Sequence, residues 1–290
     1  MLLQNRILNR INFKIASTII FVLAFLISID SSAQCDPGEL PFQAGERLDY
    51  DAYYNLKKIW VPAGKVRFEV SDSTVNGEKC FLLDGKGKSL KGYDSFFKVR
   101  DHYSSVVNKS TLQPYLFERD IHEGGFDLYY YYNFDLQKKE ARVACSKKDT
   151  TTKKIFEFPE CTFDVISAVY YARTLNFDNM EIGDTIPLQL MMDKEVYSNV
   201  YVRYMGKARA QDQNGKYYKC IKFRPFLVEG TLFEEGEFMN VYVTDDKNHL
   251  PIMVEAEILV GSVKAFLSSY RNVKYPIDAR IDLIRLHKLC

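Results

Sequence analysis

Apolar and polar residues alternate along much of the chain. In VRFEV, Val66, Phe68 and Val70 fall on one parity, and Val241 and Val243 repeat the pattern later. A period of two sends successive side chains to opposite faces and marks half-buried strands. FDLYYYYNF, 126–134, carries aromatics on both parities, so one set from Tyr129 to Tyr132 is expected in the core and the other partly exposed. The stretch 164–176, DVISAVYYARTLN, has a longer period: Val165, Ala168, Val169, Ala172 and Leu175 share one helical face. It predicts a helix capped by Cys161-Thr162 or Asp164, with Val165, Val169 and Ala172 turned to the sheet.

The strand pattern occurs twice. VRFEV, Asn76-Gly77, Cys80 and NKSTLQPYLFE in the first half correspond to VRYMG, Asn214-Gly215, Cys220 and DDKNHLPIMVE in the second. Asn76 to Pro114 is 38 positions and Asn214 to Pro251 is 37. Asn-Gly suits a tight hairpin turn, and a Pro after a polar cluster opens a strand without breaking a ladder. The expected fold is mainly β: a curved antiparallel sheet or open barrel built from two repeated meanders, with one central helix packed on it. The repeats span about 62–135 and 196–273, the helical connector about 160–185. All lie in a single domain, 34–275, followed by a C-terminal tail, 276–290, read as a short amphipathic helix or a frayed end.

Residues 1–33 have the pattern of a secretory signal peptide. Arg6, Arg10 and Lys14 precede an apolar run from Ile15 to Ile29, and Ser31-Ser32-Ala33 supplies the small residues of a cleavage site. Cleavage after Ala33 is expected, with export to the periplasm or outer-membrane surface. No later segment is apolar enough for a helical span. Gln34 stands where a lipobox requires a small residue before Cys35, which argues against lipidation.

Composition adds three constraints. Lys plus Arg is 39 and Asp plus Glu is 38, a balance that gives no reason to expect nucleic acid. Aromatics are 14%, with 20 Tyr and 20 Phe, which favours strands. Six cysteines are too few for a disulfide scaffold. Cys145 and Cys161 bracket a polar excursion and are candidates for a disulfide, as are the repeat-equivalent Cys80 and Cys220; other pairings stay open.

No catalytic or metal signature stands in the chain, and no cofactor is expected. Gly85-Lys86-Gly87-Lys88-Ser89 resembles the end of a phosphate-binding loop, but Leu82 replaces the leading Gly and a polar hairpin explains the stretch. His102, His122, His249 and His287 do not fall at ligand spacing. Asp245 to His249 lacks the Gly and distal Glu of a calcium loop and reads as a solvated turn. Glu234, Glu235 and Glu237 around Gly236 read as a hairpin tip.

The phrases FQAGERLDYDAYYNLKKIWVPAGKVRFEV, YDSFFKVRDHYSS, LQPYLFERDIHEGG, CTFDVISAVYYARTLNF and RPFLVEGTLFEEGEFMNVYVTDD together resemble domain-of-unknown-function family 3108, in the form common in Bacteroidetes. The resemblance covers about 40–275. It implies an exported, mainly β envelope protein and offers no catalytic motif to carry over. The functional expectation is non-catalytic binding of an apolar or amphiphilic envelope ligand such as a lipid, in a cavity lined by Trp60, Phe97, Tyr129, Tyr131 and Phe226. The alternative is a structural or assembly factor that contacts other envelope proteins; an enzyme ranks last.

Overall fold

The computed structural model describes residues 35–281 apart from 57–58, 96, 149, 227–235, 237–238 and 259–260. The leader expected at 1–33, the hairpin tip expected at Glu234, Glu235 and Glu237, and most of the tail lie outside the described residues. The first meander runs through β1 (Arg47–Leu56), β2 (Ile59–Val75), β3 (Glu78–Ser89), β4 (Arg100–Asn108), β5 (Pro114–Glu123), β6 (Phe126–Asp135), β7 (Glu140–Lys147) and β8 (Thr150–Glu157). A short β9 (Thr162–Phe163) and the helix α1 (Val165–Ala172) follow. The second meander is β10 (Thr185–Met192), β11 (Glu195–Gln211), β12 (Tyr217–Pro225), β13 (Met239–Thr244), β14 (Pro251–Glu257) and β15 (Ser262–Arg271), with β16 (Arg280–Ile281) after it.

Within each meander every strand pairs antiparallel with its successor, and β1 also pairs with β15. That ladder makes one sheet of the two meanders. Its order runs from β8 to β1, then from β15 back to β10 and β9, and it stays open between β8 and β9. β9 is parallel to β10. The stretches read as repeats hold β2–β6 and β11–β15, with the same hairpin connectivity. Pro114 and Pro251 each open a strand, where a missing N–H costs no ladder bond. Their Asn-Gly turns differ. Asn76 and Gly77 both have positive φ, at 50° and 84°, as a two-residue hairpin turn needs. The second is a longer loop held by Asp212, whose carboxylate accepts the N–H groups of Asn214 (2.8 Å) and Lys216 (2.9 Å). Within the tail, Arg280 and Ile281 form a short strand that pairs with Tyr218 and Tyr217.

Alternation sorts the faces as expected. Tyr130, Tyr132 and Phe134 of β6 and Ala141, Val143 and Cys145 of β7 are buried in one core cluster with Phe117 and Leu83. Two further clusters fill the second meander and the junction of the two, around Phe177 and Phe223 and around Tyr50 and Leu250. Each fully buried Phe or Leu contributes about 1.5–3 kcal/mol. The inward aromatics pack on one another, with centroids 5.2 Å apart for Phe117–Tyr132 and 5.5 Å for Phe134–Phe158.

The helix is shorter than 164–176; Val165 and Ala172 pack on core clusters as expected, but the face is rotated away from Val169. Ile166, Ser167 and Tyr170 are buried, while Val169 is 41% exposed. The cap decides this rotation. Asp164 accepts from the N–H of Ile166 (2.8 Å) and Ser167 (2.9 Å), and Ser105 of β4 donates to its second oxygen (2.6 Å). That third bond pins the helix start to the sheet. Gly85 of β3 leaves room for the approach, since a Cβ there would lie 3.1 Å from Ile166 Cδ1. At the other end Arg173 makes a buried ion pair with Glu46 (2.6 Å) and donates to the carbonyl of Asn248 (3.1 Å).

Two further expectations are corrected here. Asp245 to His249 is a turn with Asp245 and Lys247 exposed, but it is not wholly solvated. Asn248 is buried and its side chain donates to the carbonyls of Tyr275 and Pro276, both at 3.0 Å, so this turn anchors the C-terminal segment. The disulfide joins Cys35 to Cys161, with Cα atoms 5.2 Å apart, rather than Cys145 to Cys161. Cys145 points into the core from β7, and Cys80 and Cys220 are likewise free and buried.

Candidate functional site: a basic groove on the outer face of the sheet

Lys65 and Arg67 lie two apart on β2, Lys86 and Lys88 two apart on β3, and Arg100 and His102 two apart on β4. A period of two sends each pair to one face. Register then aligns the pairs: Arg67, Lys86 and His102 form one cross-strand row, and Lys65, Lys88 and Arg100 the next. Asp49 and Asp51 of β1 continue the two rows, and Ser269 and Phe266 of β15 extend them further. The intervening Val66 and Phe68 pack inward on the core, so the rows lie on the outer face.

With Arg47 and Ser268, the row residues other than Asp51 and Phe266 line a groove of about 600 Å³, the size of a small-ligand site. Six permanent cations line it, Arg47, Lys65, Arg67, Lys86, Lys88 and Arg100, against the carboxylate of Asp49. The chain as a whole carries a formal charge of +1, so the concentration of positive charge comes from register, not from composition.

Most of these cations rest on carboxylates at the rim. Asp49 accepts from Arg47 (2.9 Å), Arg67 (2.7 Å) and Ser269 (3.0 Å). Burial works to raise its pKa, but the three donors outweigh burial and hold it below the usual value. Lys65 meets Asp51 at 2.6 Å, and Arg100 meets Asp94 at 2.7 Å. Lys86 and His102 share Asp84, at 2.7 and 2.5 Å. Lys88 is exposed and, among the described residues, has no carboxylate partner. Ion pairs this open to water are worth about 0–1 kcal/mol each, so an incoming anion displaces them at little cost.

Asp101 stands between Arg100 and His102 in sequence, so its side chain takes the opposite, inward parity. There it accepts the backbone N–H of His122 (3.1 Å). Burial first, and then the charge of Glu123, push its pKa up to about 7. On the same inward face the buried Arg119 reaches Asp193 in the β10–β11 turn at 2.5 Å.

The five aromatic residues expected to line a cavity are not brought together, and none lines the groove. Trp60 is 37% exposed near the β1–β2 turn. Phe97 sits over Gly124 at the β5–β6 turn. Tyr129 and Tyr131 lie on the outer face of β6, and Phe226 packs beside Tyr201 at 5.1 Å. The basic residues were legible in principle, as basic-x-basic triplets in two consecutive strands and Arg-x-His in a third. Reading 85–89 as a hairpin hid the signal; the stretch is the C-terminal part of β3.

The fold and the groove define an open, mainly antiparallel sheet with a basic groove on its outer face. Residues 49–268 match the family model described as "Protein of unknown function (DUF3108)", and the chain belongs to that family. No curated protein matches by sequence. Among solved structures the chain is similar to a β-barrel-like protein of domain of unknown function DUF1849 from Brucella abortus. The TM-score is 0.54 at 9% identity, over 82% of this chain and 100% of that one, a likeness of fold alone.

Proposed function

We propose that this protein is exported to the cell envelope and acts there as a non-catalytic binding protein for an anionic ligand held in the basic groove. The observation that carries the reading is the alignment of Lys65, Lys88 and Arg100 across three neighbouring strands, with Arg67 and Lys86 in the row beside them. Neighbouring strands are about 4.8 Å apart, so one phosphate dianion placed over Lys88 is within reach of several cations. The Cys35–Cys161 disulfide supports export, because such bonds persist in oxidising compartments. It also occupies the thiol that lipidation would use.

The interior carries the apolar version of the expected ligand less well, because three packed clusters occupy it. The assembly-factor reading has the open edge of β8 in its favour. Lys153 and Lys154 on that strand are residues of the kind that discourages edge-to-edge pairing. The raised Asp101 carboxyl is the feature an enzyme would use, but it faces Glu123 on the other side of the sheet from the cations.

The test is calorimetric titration of the purified protein with methyl phosphate at low and high salt. Saturable binding that weakens with salt, and that Lys88→Glu abolishes, is the expected result. Heat indistinguishable from dilution at low salt refutes the groove as a site.

A further inference from the structure

We infer that the ligand is a single anionic amphiphile, whose head group sits in the basic groove and whose apolar part runs along an aromatic strip on the same sheet face. The inference rests on the groove as the anion site and adds the second half of the ligand.

The strip follows from register. The row Arg100–Lys88–Lys65–Asp51 ends on Phe266 of β15. Phe266 therefore lies two strands from Lys65, roughly 10 Å away. Two positions further along β1, on the same face, is Tyr53, whose ring meets Phe266 edge-on at 5.8 Å. Tyr53 stands opposite Pro62 of β2 and Lys264 of β15. Lys264 covers the ring of Trp60, at 4.8 Å from its centroid. Phe266, Tyr53, Pro62 and Trp60 thus form a half-covered apolar track that begins at the end of the basic row, with Lys264 lying over its far end.

On the outer face of a sheet these positions need nothing apolar, yet the track ends in a Trp that is more than a third exposed. A free phosphate uses the cations and leaves the track idle. A neutral detergent uses the track and leaves the cations idle. A molecule with a charged head and an alkyl chain satisfies both, and each methylene laid on the track adds to affinity.

Trp60 is the only tryptophan in the chain, so its fluorescence reports the track directly. The purified protein is titrated with dodecyl phosphate below its micelle concentration, with methyl phosphate, and with dodecyl maltoside. Dodecyl phosphate is expected to bind at least about tenfold more tightly than methyl phosphate. It should shift Trp60 emission to the blue, while methyl phosphate leaves emission unchanged. Phe266→Ser should erase the tenfold advantage and keep methyl phosphate binding. Trp60→Ser, followed by calorimetry, makes the same test in case Phe266→Ser does not fold. Equal affinity for the two phosphates overturns the inference and leaves the anion groove standing. Dodecyl maltoside binding as tightly as dodecyl phosphate overturns it by removing the head group's role. Binding of neither phosphate overturns both readings.

Discussion

Asp101 shows how much a single residue's surroundings set its charge. A carboxyl in water is ionised well below neutrality, but partial burial and the neighbouring Glu123 bring this one to about 7. The folded state then binds its proton more tightly than the unfolded chain, whose carboxyl titrates near the ordinary value of 3.8. The stabilising contribution is full below that value and is lost as pH rises through about 7. Thermal melts between pH 5 and 8 should therefore show stability falling as pH rises, with Asp101→Asn flattening the trend. A variant with the same slope as the parent would remove Asp101 as its source. The groove cations behave differently at this scale. Arg47, Arg67 and Lys86 rest on Asp49 and Asp84, while Lys88 stays open to solvent. Lys88→Glu should therefore damage binding and leave stability nearly unchanged.

At the scale of elements, α1 is too short to be stable alone, with eight residues. Its cap and its contact with the sheet hold it in place. Asp164 serves three donors in a fully buried position, and burial pushes its pKa up to about 6 despite them. Replacing Asp164 with Ala removes the cap and strands the hydroxyl of Ser105 and the helix N–H groups. The expected loss is about 1–3 kcal/mol in urea unfolding, at the high end for a cap because the site is dry. A loss under about 0.5 kcal/mol would mean that sheet packing alone fixes the helix. The strands are more self-sufficient. Their period-two alternation was plain in Val66, Phe68 and Val70, and Pro114 and Pro251 marked two of their starts. The helical face was misjudged because Val169 and Tyr170 are both acceptable core residues by type. The bond from Ser105 to Asp164 and the packing of Ile166 against Gly85 turn Tyr170 inward.

For the whole molecule, the covalent link from Cys35 to Cys161 closes a loop across 126 positions and ties the first described residue to the start of β9 and α1. Loops of that size restrict the unfolded chain by about 4–5 kcal/mol in the entropic account. Peptide mapping without reduction should recover Cys35 joined to Cys161, with Cys145 alkylated only after unfolding. Cys35→Ser with Cys161→Ser should lower stability by about 2–5 kcal/mol. A linked Cys145 peptide would contradict the arrangement. The pairing was not readable from spacing, because Cys145 and Cys161 are close along the chain while Cys35 is remote. In the folded protein β7 turns Cys145 inward, and the N-terminal segment passes beside Cys161.

Local chemistry was enough to determine the class of fold. Alternating side chains, paired Asn-Gly signals and a single helical period specify a mainly antiparallel sheet with one helix, since backbone period depends on residues a few positions apart. The family was also legible in short phrases of the chain. Tertiary structure alone decided the candidate site. Lys65, Lys88 and Arg100 are separated by 23 and 12 positions, and no local rule gathers them. Strand register brings them side by side, and register is set by which face of every strand must be buried. The same register placed Phe266 at the end of their row, more than 160 residues away in sequence, because β15 closes on β1.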